Sequence, residues 1–124
     1  MEESLRKVLE LEAAPEDPSQ YSPLALAYMG DCVYELLIRT AIISRGNRQV
    51  QKLHKETTAL VNAASQARLM RELEPLLTEE ERTIFKRGRN ARSTAIARHA
   101  SIADYRMATG LEALLGYLYL SRRM

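Results

Sequence analysis

The 124-residue chain is 46% hydrophobic and 27% charged, with a formal net charge of +2. That is enough for one soluble domain with a true core, too short for two ordinary domains, and too balanced for bulk charge to announce a nucleic-acid partner. One cysteine excludes an internal disulfide and fits a reducing compartment, and the start, Met-Glu-Glu-Ser-Leu-Arg-Lys, lacks the apolar core of a signal peptide, so a cytoplasmic location is expected.

In chain order, residues 2–12 read as a short amphipathic segment with Leu5, Val8, Leu9 and Leu11 as its inner face. Pro15 and Pro18 then make 13–22 a connection, so residues 1–20 form a helical extension to a single domain spanning 1–124. Ser22 and Pro23 mark the start of a helix running to about Ser44, Ser22 as N-cap and Pro23 in the first turn. Arg45-Gly46-Asn47 is a turn, with Gly46 after the helix end and Asn47 as cap of the next helix. From Arg48 to about Leu73 the apolar residues keep a helical period, as one long helix or two. Pro75 breaks the pattern, and Thr78 to Glu81 is a capping box opening a helix that ends near Gly88. Ser93 or Ser101, and Asp104, are candidate caps for the last ordered segments. No convincing strand or repeat intervenes, and the fold class is all-α.

Two helices carry the chemistry. Leu24 to Ile43 contains only three charges, Asp31, Glu35 and Arg39, spaced four apart and therefore on one stripe. Its other faces are apolar or small, the pattern of a helix enclosed by protein. Three charges mid-helix, each costing about 2.5–3.5 kcal/mol at a bilayer centre for Asp or Arg, argue against a membrane span. From Met107 to Leu120 the only charge is Glu112, with Ala108 and Gly116 on its face and Thr109 and Ala113 beside it. Ala27 and Gly30 flank Asp31 in the same way. Small residues at both carboxylates let two helix backbones approach, and paired acids call for a cation; hard oxygen ligands suit Mg²⁺ or Mn²⁺. The bland alternative is that Asp31 is a structural acid paired with an arginine or a backbone N–H. Glu35, four residues before Arg39, reads as half of an intrahelical ion pair.

These residues resemble a known family. Tyr28-Met29-Gly30-Asp31-Cys32-Val33 is similar to the signature helix of the ribonuclease III catalytic domain, and Ala108 to Leu114 to its closing helix. Leu60-Val61-Asn62-Ala63, the basic run Lys86 to Arg92, and Tyr105-Arg106 resemble the compact Mini-ribonuclease III branch, in the right order over about residues 20 to 122. The resemblance implies a ribonuclease III-type helical bundle, a homodimer with signature helices near the shared interface, and Mg²⁺-dependent cleavage of double-stranded RNA leaving 5′-phosphate and 3′-hydroxyl ends. Asp31 and Glu112 are then the catalytic metal ligands and Thr109 an accessory that orients water. The implied substrate is precursor large-subunit (23S) ribosomal RNA, with room for an assisting ribosomal protein.

From Arg82 to Ala103 there is no acidic residue. Within that stretch Lys86, Arg87, Arg89, Asn90 and Arg92 are the candidate RNA contacts, Gly88 and Asn90 suiting a tight turn and the arginines suiting bidentate phosphate contacts; a plain solvated loop is the alternative. His54 and His99 read as surface residues, Cys32 as core, and Tyr117 and Tyr119 as packing residues. The wider family has a glutamate where this chain has Ala27 and an aspartate where it has Thr109, so two usual acids are absent. That absence supports a competing reading, a catalytically silent RNA-binding module in ribosome assembly. A third is a helical interaction protein whose buried acids pair with arginines.

Overall fold

The computed structural model describes residues 1–11, 17–91 and 101–124. Among them lie six α-helices and no strand: α1 (Glu2–Val8), α2 (Pro23–Ile43), α3 (Val50–Leu60), α4 (Ala63–Leu73), α5 (Glu79–Arg89) and α6 (Ile102–Leu120), with single 3₁₀ turns at Pro18–Gln20 and Glu74–Leu76. The all-α expectation holds.

Local chemistry sets most boundaries. The Ser22 hydroxyl accepts from the Ala25 N–H at 3.1 Å, and Ser101 accepts from Asp104 at 3.0 Å. Thr78 and Glu81 form the reciprocal capping box at 3.1 and 2.9 Å. The 48–73 stretch is two helices, because Asn62 caps α4 by accepting from the Ser65 N–H at 2.9 Å. The Leu60 carbonyl, at the end of α3, accepts instead from the Tyr34 hydroxyl at 2.7 Å, which pins this break to α2. Burial raises the Tyr34 pKa.

Two expected caps are corrected. Asn47 does not open α3; Gln49 holds the cap position without a side-chain bond. Arg48 closes this turn, donating to the Ile42 carbonyl at 2.9 Å and to Glu56 at 2.7 Å. Asp104 sits inside the first turn of α6, where it pairs with Arg71 of α4 at 2.9 Å.

The bundle is arranged around α6, which packs against α2, α4 and α5. An unbroken run from Ala108 to Leu111 and from Ala113 to Tyr117 is buried, as expected of a helix apolar on every face. Val33, Tyr34, Met70, Phe85, Leu111, Leu114 and Leu115 make one core cluster; Leu26, Ala27, Ile84, Ala113 and Tyr117 make the other. Gly88 is part of this packing and not of a turn: it lies within α5, where a Cβ would come 2.6 Å from the Ala113 Cβ.

The expectation of an α2 enclosed on all sides is corrected. Leu26, Ala27, Gly30, Val33, Tyr34 and Ile42 face the core, but Leu24, Tyr28, Cys32 and Leu36 form an outward stripe, with Tyr28 80% exposed. Cys32 is therefore a surface thiol, not a core residue. In α1 the expected inner face of Leu5, Val8 and Leu9, continued by Leu11, is exposed throughout. Both misreadings have one cause: apolarity in a sequence does not say whether the covering surface belongs to the same chain.

Candidate active site

The two carboxylates meet where α2 crosses α6. A Cβ at Gly30 would land on the Glu112 carbonyl oxygen, and one at Gly116 on the Leu26 carbonyl oxygen. Only glycine permits helix backbones to touch this closely, and the touch brings Asp31 and Glu112, neighbours of these contacts, within hydrogen-bond reach. Burial pushes the Glu112 carboxyl up to about 8, helped by the hydrogen bond and the like charge of Asp31, while the Gln66 amide favours the ionised form. Asp31 is exposed and Glu112 half-buried, so the pair opens to solvent at the Asp31 side.

Acids held this close repel one another once ionised and invite a compensating cation. The donor set fits a hard divalent ion that keeps several waters and is bound through one or two carboxylates plus substrate phosphates. Among the described residues no cluster of three or more His, Cys, Asp or Glu forms a cage. The buried Thr109 hydroxyl donates to the Tyr105 carbonyl at 3.0 Å, leaving its oxygen as an acceptor only. Glu35 pairs with Arg39 at 2.9 Å, as its spacing requires, and takes no part in the pair of acids.

The basic run separates into different roles. Arg87 is half-buried and donates to the Ser19 and Tyr21 carbonyls at 2.8 and 2.9 Å, fastening α5 to the segment before α2. Arg89 lies over the Phe85 ring, 5.5 Å from its centroid, and reaches the Asn90 side chain through Nε at 3.3 Å. Lys86 and Asn90 are exposed. Arg92 and His99 lie outside the described residues. His54 is at the surface, and Tyr117 packs in the core beneath Arg123, whereas Tyr119 is half-exposed.

Sequence reasoning missed Gln66. It falls on the stripe of Ala63, Ala67, Met70 and Leu73 that α4 turns toward its neighbours, and it is 6% exposed. A polar residue inside an otherwise apolar stripe was the available signal.

The all-α bundle, with a carboxylate pair at the crossing of its two most apolar helices, is a ribonuclease III domain: that family matches residues 24–123. Mini-ribonuclease 3 of Clostridium tetani is 53% identical over 110 residues, spanning 88% of this chain and 73% of that protein. The Thermosynechococcus vestitus Mini-ribonuclease 3 is 46% identical over 115 residues, 93% of this chain and 75% of the relative. A crystal structure of a Fusobacterium nucleatum protein superposes with a TM-score of 0.79 at 35% identity, covering 88% of each chain. The chain belongs to the Mini-ribonuclease 3 family and is an endoribonuclease.

Proposed function

We propose that the chain cleaves double-stranded RNA with Mg²⁺, or Mn²⁺ in its place, held by Asp31 and Glu112. The observation that carries this reading is the meeting of the two carboxylates at the Gly30 crossing of α2 and α6. A divalent ion there supplies Lewis-acid activation of water and neutralises charge developing on the phosphate, giving 5′-phosphate and 3′-hydroxyl ends. The chain's own part is positional. Asp31 presents its carboxyl from the open side, Glu112 from the packed side, and the Thr109 oxygen can accept a hydrogen bond from an ordered water.

The outward stripe Leu24, Tyr28, Cys32 and Leu36 supports a homodimer joined through α2. Two sites related by a two-fold axis match the pseudo-two-fold symmetry of a duplex. Duplex RNA is recognised mainly by shape, through phosphates and 2′-hydroxyls. Lys86, Arg89 and Asn90 lie on an exposed end of α5 suited to phosphates, whereas Arg87 holds the scaffold that presents them. The resemblance to Mini-ribonuclease III supports a cytoplasmic enzyme maturing the 23S ribosomal RNA precursor; separately, among the described residues no helix is long and apolar enough to cross a membrane. The test is incubation with labelled duplex and single-stranded RNA in Mg²⁺. Staggered cuts in the duplex alone are expected; cutting of the single strand alone overturns the substrate class.

A further inference from the structure

We infer that Gln66 is the positioning residue for Glu112: its side-chain amide donates to the ionised Glu112 carboxylate. This rests on the carboxylate centre proposed above.

The geometry is a buried donor without work. Gln66 is 6% exposed, and its Nε2 is shielded from solvent and meets no acceptor within hydrogen-bond distance. Only one other buried side-chain atom among the described residues shares that condition, Arg48 Nε, whose guanidinium is otherwise engaged. An unsatisfied buried donor costs about 1–3 kcal/mol, and a leucine or methionine would fill the same volume without that cost. The amide stands beside Glu112, close enough to act on its carboxyl.

Placement is set by α4. Asn62 caps this helix and fixes its first turn, the Gln66 N–H closes onto the Asn62 carbonyl at 3.0 Å, and Ala67 and Met70 bury the adjoining surface. Arg71 pairs with Asp104, holding α4 against α6. The Gln66 side chain is thus delivered to Glu112 from a rigid element.

An amide suits this position chemically. It offers two N–H donors and no charge. An arginine or lysine there would bind the carboxylate more strongly but would cancel the negative charge that attracts a cation. A neutral donor orients Glu112 and leaves both negative charges for the metal. Partners of this kind, acting through a ligand, typically change metal affinity by 10–100-fold.

The experiment is a Mn²⁺ titration of the RNA-free protein by electron paramagnetic resonance, with Gln66→Met and Asp31→Asn alongside wild type. We expect Gln66→Met to weaken Mn²⁺ binding by about 10-fold and to melt in EDTA no lower than wild type, since the unsatisfied donor is gone. A purely structural glutamine gives the reverse, a lower melting temperature with unchanged Mn²⁺ affinity, and that result overturns the inference. If wild type binds Mn²⁺, Asp31→Asn does not, and Gln66→Met binds as wild type does, the carboxylate centre stands and the role of Gln66 falls. If wild type binds no Mn²⁺, the centre itself falls. A second measurement needs no variant: the Gln66 side-chain amide protons of wild type, followed by ¹H–¹⁵N spectra, should shift downfield as Mg²⁺ is added. Resonances that stay in place overturn the inference.

Discussion

Gly30 lies against the main-chain carbonyl of Glu112 so closely that any side chain at position 30 would occupy the same space. The contact joins α2 to α6, and the acid next to Gly30 is the one that meets Glu112. Gly30→Ala is therefore expected to push the helices apart, costing about 3 kcal/mol as an overpacked contact with unyielding backbone. Thermal melts should show the loss, and Mg²⁺-dependent cleavage should fall further than stability alone explains. A protein with normal melting and cleavage would mean that the close approach is not needed.

The raised Glu112 pKa makes the metal-free protein sensitive to pH. Below the ordinary carboxyl value of 4.5 both folded and unfolded chains carry the proton. Between there and about 8 the unfolded chain releases it while the folded chain retains it, so stability falls as pH rises and levels off above about 8. In EDTA the loss should be on the order of a few kcal/mol. Glu112→Gln should flatten this slope, and excess Mg²⁺ should reverse it by binding the ionised pair. Urea unfolding between pH 5 and 9 measures all three.

Arg87 and its neighbours should part company under mutation. Arg87→Ala abandons the Ser19 and Tyr21 carbonyls and is expected to cost about 1–3 kcal/mol of stability. The salt dependence of RNA binding should stay the same in that variant. Lys86→Ala with Arg89→Ala should leave melting nearly unchanged, weaken duplex binding, and lower the log–log salt slope by about one per phosphate contact removed. Gel shifts at several salt concentrations separate the two patterns.

The exposed stripe of α2 gives a prediction about assembly. Leu36 is 59% exposed in the single chain, so Leu36→Glu should fold normally as a monomer. Burying a glutamate in an apolar interface is costly, and the variant should shift from dimer to monomer in sedimentation. A dimer of unchanged stability would place the interface elsewhere.

Much of this architecture was legible because its causes are local. Ser22 with Pro23, and Thr78 with Glu81, mark helix starts through bonds spanning three residues. The meeting of Asp31 and Glu112 was legible for a different reason, since lone charges flanked by small residues on two apolar helices leave few arrangements. What escaped was decided by distant partners. Arg87 answers to carbonyls 66 and 68 residues away, which a basic run cannot disclose. Gly88 looks like a turn residue and is a packing contact with α6. Gln66 was hidden because Glu112, the group its amide stands beside, lies on another helix. The outward face of α2, Cys32 included, reads the same whether it is core or surface.

The most direct test of the central claim compares wild type, Asp31→Asn and Glu112→Gln on a labelled RNA duplex in Mg²⁺ and in EDTA, with circular dichroism and a gel shift on each protein. The account predicts cutting by wild type in Mg²⁺ only, and loss of more than about 100-fold in both variants, each still folded and still binding RNA. Cutting by Asp31→Asn at the wild-type rate, or by wild type in EDTA, would contradict it.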